Sequence, residues 1–246
     1  MYVIKSIREM LPGFIISILA AIVMNMELLF LKSNHSVIEV LCNQMLDITQ
    51  YLEKHYFLGT WNLLFISFLV CAFFGCSVKK TQNAYVSVRS NQNPKWFLKL
   101  WRRIGLAVFA FISGYLLTLL AMSIYYTRSN GLVLGESWGT KICICLLCMF
   151  YMFFSAVLIC NIIAIILNEK IAYISTVSLL VVFNYITAQI PDDILTSPFS
   201  VINPILSFSM IEDKIDSIRI VIVCVCLAVE FLVAAKVTGV KYRKKR

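Results

Sequence analysis

Six long apolar runs, separated by shorter polar segments, dominate the chain. They cover residues 13–31, 61–78, 104–124, 142–167, 171–190 and 218–237. Each lies near the ~20 residues that a helix needs to cross the hydrocarbon core of a bilayer. The pattern therefore predicts an all-α, polytopic membrane protein, with residues 1–246 forming a single domain of six transmembrane helices.

The polar segments on the two sides of these runs differ in charge. One side carries 16 Lys and Arg residues and two acids, and the other carries six Lys and Arg residues and nine acids. Lys/Arg-rich connections stay on the cytoplasmic side of a membrane, so both termini are predicted to be cytoplasmic. The net charge of +9 follows from this topology. We therefore expect no nucleic-acid partner.

The most basic connection, residues 79–103, contains seven Lys and Arg residues and no acid. Its second half predicts a helix that begins at Pro94, a residue that suits the first helical position. Trp96 and Trp101 share one face of this helix with other apolar residues, and Lys99 lies on the opposite face. Such a segment is typical of a helix lying on the membrane surface.

Two functions are open for this connection. It either binds anionic lipid, or docks against a soluble partner. The polar stretch around Tyr85 and Arg89 favours a partner, because lipid binding does not require it.

Three other segments outside the apolar runs each predict a particular local structure. Residues 1–12 predict a short amphipathic stretch on the inner surface, which turns into the first span at Pro12. Residues 168–170 form a very tight inner turn. In residues 191–210, prolines that include Pro198 and Pro204 interrupt an apolar sequence, which predicts a re-entrant segment before the last helix.

Two carboxylates, Glu27 and Glu230, fall within predicted spans. Intramembrane acids are costly and usually face a cavity or a partner. Glu27, with Asn25 nearby, either reaches the outer interface or lines a pathway, whereas Glu230 is deeper and favours an interhelical or substrate contact. Asn161 and Asn184 are the other clear polar side chains in the spans, and hydrogen bonding between helices is the favoured role for both.

The chain lacks the sequence signatures of catalysis and of nucleotide binding, so it is not expected to be an enzyme. Cys143, Cys145 and Cys148 have spacing like that of metal ligands but lie in an apolar run without a nearby His or acid. Helix packing is the favoured role for these thiols, and no metal site is expected. An intramembrane enzyme that uses Glu27 or Glu230 is a minor alternative.

The combined architecture resembles the ABC-2 type permeases, the membrane subunits of ATP-binding cassette exporters. The features are the amphipathic start, the six spans, the basic loop ending in Trp96–Arg103, the tight inner turn and the sequence Asn203-Pro204 before the last span. The resemblance extends over the whole chain, but the basic loop and Asn203-Pro204 are its only local matches.

The resemblance implies a multi-pass subunit of a bacterial plasma membrane, paired with a second permease as a homodimer or heterodimer. A separate cytoplasmic ATPase chain would hold ATP and Mg, and no cofactor is expected on this chain. The substrate would be hydrophobic or amphipathic, such as a peptide, in export or in immunity to a bacteriocin. The alternative is a non-transporting immunity or scaffold protein that binds a partner through the basic loop.

By position, the resemblance also assigns roles to residues. Contact with the ATPase is expected for Tyr85, Arg89, Trp96, Lys99, Trp101, Glu169 and Lys170. The substrate path is expected to include Asn25, Glu27, Asn184 and Glu230. Pro198, Asn203 and Pro204 would form the re-entrant gate.

Overall fold

A computed structural model describes residues 2–25, 37, 40, 61–75, 94–127, 138–188 and 217–243 of the chain. Within these ranges, the side chains of residues 11–25, 37, 40, 66–75, 98–127, 138–182 and 217–237 are described. The predicted re-entrant segment, residues 191–210, lies outside these ranges, as do Glu27, Tyr85 and Arg89.

Six helices account for almost all of the described residues, and none of these residues lies in a strand. The helices are α1 (Tyr2–Met24), α2 (Trp61–Phe74), α3 (Pro94–Thr127), α4 (Trp138–Ile166), α5 (Glu169–Ala188) and α6 (Ser217–Arg243). Each overlaps one of the six predicted apolar spans. The prediction of an all-α fold is confirmed for the described part of the chain.

Among the described residues, three helical segments are long and apolar enough to cross a membrane, namely Leu98–Thr127, Trp138–Ile166 and Ser217–Val237. The segment Leu11–Met24 is also apolar but shorter. Large apolar side chains on the outside of the fold, such as Val23, Ile174 and Leu232, are more than 60% exposed. An apolar exterior of this kind is compatible with a protein embedded in lipid. The count of six spans and the cytoplasmic termini stay predictions.

Helix α4 lies at the centre of the bundle, in contact with α2, α3, α5 and α6. Its buried residues include Tyr151, Phe153, Phe154 and Cys160. Helix α1 packs instead along α3. The hydrophobic core is thus built around α4, which is apolar on nearly all sides, as expected of a buried helix.

Contacts between side chains define the relative directions of the helices. Trp101 packs against Phe154, and Phe109 packs against Phe150, so α3 and α4 are antiparallel. Ser155 contacts Glu230, and the preceding turns meet at Tyr151 and Cys226, so α4 and α6 are parallel. Gly13 lies near Phe111 and Ser17 lies near Gly114, so α1 and α3 are also parallel.

The structure differs from the sequence prediction at both amphipathic segments. Helix α1 continues through Pro12, where a turn was predicted, and the helix that begins at Pro94 continues into the third apolar run. Proline is tolerated within membrane helices because neighbouring groups satisfy the freed backbone atoms. The apolar face of residues 98–104 packs on protein, with Leu100, Trp101 and Ile104 all buried. Burial against α4 therefore keeps residues 98–104 in line with the rest of α3.

A tight turn is present beside the predicted position, residues 168–170: the connection is residues 167–168, and Glu169 and Lys170 already lie in α5. Helix α4 ends at Ile166, and α5 begins only three residues later at Glu169. The side-chain oxygen of Asn168 accepts a hydrogen bond from the backbone N–H of Ile171 at 2.8 Å. This is the N-cap arrangement that satisfies a free donor at the start of a helix. The cap explains why the chain reverses direction within so few residues.

Gly114 permits a close contact between α1 and α3. A Cβ atom added to Gly114 would lie 2.8 Å from Cδ2 of Phe14 and closer still to Oγ of Ser17. A Cβ atom added to Gly105 would lie 3.6 Å from the Phe154 ring, an ordinary contact distance. The α1–α3 interface therefore has no room for a methyl group at residue 114.

We expect Gly114→Ala to destabilise the protein by about 1–3 kcal/mol, the usual cost of overpacking. Gly105→Ala is the matched control, and helix propensity predicts a neutral effect or a gain of up to ~1 kcal/mol. Thermal unfolding of the purified variants in one detergent provides the comparison. Equal stability of the two variants would contradict the close approach of α1 to α3.

Candidate functional site

A polar cluster lies between α4 and α6, among otherwise apolar residues. We define it as Tyr151 and Ser155 on α4 together with Cys226 and Glu230 on α6. On each helix the two residues are four positions apart, so they lie on one face in successive turns. The cluster thus includes Glu230, the deeper of the two intramembrane acids in the sequence.

The contact between Ser155 and Glu230 links the two helices of the cluster. The Ser155 hydroxyl lies 2.8 and 2.9 Å from the two carboxylate oxygens of Glu230. It also lies 2.7 Å from the backbone oxygen of Tyr151. The phenol of Tyr151 is close to Cys226 and to the Glu230 carboxylate. Glu230 itself is half-buried.

The hydrogen bonds within the cluster depend on whether Glu230 carries a proton. A serine hydroxyl has one proton, so Ser155 donates either to Glu230 or to the Tyr151 carbonyl oxygen. If Glu230 carries a proton, it donates to Ser155 while Ser155 donates to Tyr151, and both bonds form at once. An ionised Glu230 accepts a hydrogen bond from the Ser155 hydroxyl and retains unused acceptor sites. The cluster can therefore exchange one proton or accept hydrogen bonds from a cationic group.

Asn25, a predicted path residue, lies at the other side of the bundle. Its Nδ2 donates to the Tyr115 hydroxyl at 3.3 Å and to the Ala21 carbonyl at 2.8 Å. Its Oδ1 atom is buried and receives no hydrogen bond from any described residue. Asn25 thus ties α1 to α3 and leaves one acceptor available.

Asn161 fulfils the structural role that was favoured for it. Its Nδ2 donates to the backbone oxygen of Phe74 at 3.0 Å, linking α4 to the end of α2. Close by, the Tyr173 hydroxyl donates to the Ala72 carbonyl at 3.0 Å, linking α5 to the same end. The prediction of an interhelical hydrogen bond for Asn161 is confirmed. The corresponding prediction for Asn184 concerns a side chain outside the described residues, although its backbone lies in α5.

The predicted ATPase-contact residues differ in how exposed their side chains are. Lys99 and Lys170 are exposed and Glu169 is half-buried. Trp101 is 0% exposed and packs edge-on against Phe154, with the ring centroids 6.1 Å apart. Its side chain belongs to the hydrophobic core and does not reach a surface where a partner would bind. Trp96 lies in the first turn of α3, and its side chain is outside the described residues.

The remaining predicted site residues belong to parts of the chain that the structure does not describe. Glu27, Tyr85, Arg89, Pro198, Asn203 and Pro204 all lie outside the described residues.

The three cysteines with metal-like spacing do not share one environment, because Cys143 is exposed while Cys145 and Cys148 are buried. No group of three or more potential metal ligands is found among the described residues.

Sequence reasoning missed Ser155 and Tyr151, the partners of Glu230. Both lie in the most apolar part of α4, where a serine and a tyrosine are readily assigned to packing. Their separation of four residues matches that of Cys226 and Glu230 on α6. That spacing was the available signal, but the sequence does not show that these two helices are neighbours.

A double-mutant cycle tests the polar cluster. Ser155→Ala and Glu230→Ala are each expected to destabilise the protein, with a coupling energy of about 1–2 kcal/mol. Glu230→Gln is the matched control, because its side-chain oxygen still accepts from Ser155 and little stability should be lost. Unfolding of the four proteins in the cycle gives the coupling. A value near zero would show that the two side chains do not interact.

No protein-family model, curated protein or solved structure matches the chain. The likeness to the ABC-2 type permeases therefore rests on the residues and loop architecture of this sequence.

Proposed function

We propose that this chain is the membrane-spanning subunit of an ATP-binding cassette exporter. A separate cytoplasmic ATPase would bind ATP and Mg, and this chain, paired with a second permease, would provide the path for a hydrophobic or amphipathic substrate such as a peptide. The observation that carries the proposal is the arrangement of exposed cations at one end of the helical bundle.

The antiparallel packing of α3 and α4 is the basis of this arrangement. The start of α3 lies at the end of the bundle where α4 finishes and α5 begins. Exposed Lys99, Arg102 and Arg103 on α3 are therefore at the same end as exposed Lys170 on α5. Hydrogen bonds from Asn161 and Tyr173 bring the last turn of α2 to that end as well. A soluble partner at this end would meet both the basic segment and the tight turn.

The helix directions favour six crossings of a bacterial plasma membrane. If the parallel helices α4 and α6 both span the bilayer, the chain must cross back between them, and α5 is available for that crossing. The same argument applies to α1 and α3, with α2 between them. Alternating crossings put both termini on the side of the basic end, which the positive-inside rule assigns to the cytoplasm.

The polar cluster supports a role in transport. A carboxylate within a membrane helix is costly, and such groups commonly mark substrate or proton pathways. Glu230 would interact with a cationic group of the substrate as it passes along α6. Asn25, Glu27 and Asn184 would line other stretches of the path. Pro198, Asn203 and Pro204 would close its outer mouth.

The ATPase contact in this proposal uses Tyr85, Arg89 and Trp96 from the basic segment. Lys99, Glu169 and Lys170 would complete it on the ends of α3 and α5. Trp101 supports the contact from within the core. Binding of ATP by the partner would push on these helix ends, and the paired bundles would respond as rigid bodies.

Co-purification provides the test. The chain is expressed from its native operon, purified in mild detergent, and assayed for a co-purifying subunit that hydrolyses ATP. The double change Lys99→Glu and Lys170→Glu should reduce the co-purified ATPase about tenfold or more, because opposed like charges cost several kcal/mol at an interface.

Lys141→Glu is the matched control, since Lys141 lies in the first turn of α4 at the opposite end of the bundle. It should leave the amount of ATPase unchanged. A chain that purifies alone, without ATP hydrolysis, would contradict the transporter proposal and favour a non-transporting immunity or scaffold protein.

A further inference from the structure

A groove with a volume of about 500 Å³ opens on the side of the bundle between α3, α4 and α6. This volume lies within the ~300–1,000 Å³ typical of small-molecule sites. The groove is distinct from the polar cluster, which lies on a neighbouring face of α4 and α6. None of the residues assigned to the ATPase contact or to the substrate path lines it.

Four phenylalanines line the groove. Phe109 packs edge-on against Phe150, with the ring centroids 6.0 Å apart. Phe150 stacks on Phe154 at 5.5 Å, and Phe154 stacks on Phe231 at 6.3 Å. Gly105 lies opposite Phe150 and Phe154 and has no side chain to fill the space. The result is a continuous apolar surface that suits a long hydrocarbon chain.

Of the described residues that line the groove, Arg102 alone is charged. Arg102 lies near the start of α3, about 10 Å along the helix from Phe109 at the rise of ~1.5 Å per residue. That length is about two thirds of the ~15 Å that one leaflet contributes to the hydrocarbon core. With Arg102 at the membrane surface, the apolar body of the groove would lie within one leaflet.

We propose that this groove is a binding site for an anionic phospholipid. The phosphate would bind the Arg102 guanidinium, and one acyl chain would lie along Phe109, Phe150, Phe154 and Phe231. The guanidinium group can form paired hydrogen bonds with a phosphate group. A choline-headed lipid should bind less tightly, because the cation of its headgroup offsets the negative charge of its phosphate.

The neighbouring charges support the same ligand. Lys99 and Arg103 are exposed close to Arg102. Helix α3 contains no acid that would repel a phosphate. Anionic lipids are concentrated in the cytoplasmic leaflet, where basic pockets between membrane helices bind their headgroups. The inference requires only that α3, α4 and α6 lie in a bilayer, so it holds whether or not the chain transports a substrate.

Lipid titration of the purified protein in detergent provides the test. The probes are phosphatidylglycerol and phosphatidylcholine with identical palmitoyl and oleoyl chains, and inorganic phosphate, each followed by the shift in thermal unfolding. Phosphatidylglycerol should stabilise the protein at concentrations at least tenfold below those needed for phosphatidylcholine. Inorganic phosphate should have no effect, because it lacks the acyl chain.

Arg102→Gln should weaken the apparent affinity for phosphatidylglycerol about tenfold or more, as expected for the loss of a hydrogen bond to a charged group. Arg103→Gln is the matched control, because Arg103 is an adjacent exposed cation that does not line the groove, and solvent screening should limit its variant to a much smaller loss of affinity. Ala228→Phe places a ring in the groove and should abolish the lipid effect with all charges intact.

Three results would overturn the proposal. These are equal stabilisation by the two lipids, equal loss in the two arginine variants, and full stabilisation by inorganic phosphate alone. Unfolding in the absence of lipid shows whether each variant is folded. If Ala228→Phe does not fold, the comparison of the two arginine variants decides the question.

Discussion

Packing around α4 is the constraint on which the rest of the structure depends. Helices in a bilayer gain little from the hydrophobic effect when they associate, because lipid tails are as apolar as the side chains they would replace. Close packing and hydrogen bonds must hold them together instead. Helix α4 supplies both, through its contacts with four other helices and through two polar side chains, Ser155 and Asn161, that each link it to a neighbour.

The two kinds of contact divide along α4. Towards α2 and α5, small buried residues such as Cys160 and Ala164 permit close approach, and Asn161 donates to a backbone oxygen. Towards α3 and α6, large aromatic rings fill the interface, where Phe154 contacts both Trp101 and Phe231. The wide aromatic side leaves a groove and the polar cluster near the surface. Both candidate sites therefore follow from the way in which α4 is packed.

The same packing relates the two proposals to each other. Antiparallel α3 and α4 bring the exposed cations of α3 to the end of the bundle where α5 begins. A soluble ATPase and an anionic lipid would both be attracted to that end by the same charges. Arg102 lines the groove and Lys99 does not. Arg102 would therefore contact lipid, while Lys99 would remain available to a partner.

The sequence by itself determined where the helices lie along the chain. Runs of apolar residues predict α1 to α6, Pro94 marks the start of α3, and the turn after α4 follows from Asn168 and the charges beside it. These features depend on local composition and on residues near one another in sequence, which is why they could be predicted. Glu230 and Asn161 were recognised because a polar group in an apolar run is costly whatever surrounds it.

Only the tertiary structure decided which faces meet. Helix α4 is apolar on nearly every side, so its sequence contains no contrast that indicates which face contacts α6 or which residue serves Glu230. Trp101 illustrates the same limit, because an amphipathic turn packs equally well on lipid or on another helix, and its burial against Phe154 follows from the position of α4. The groove beside Arg102 requires three helices at once and has no signature within any one of them.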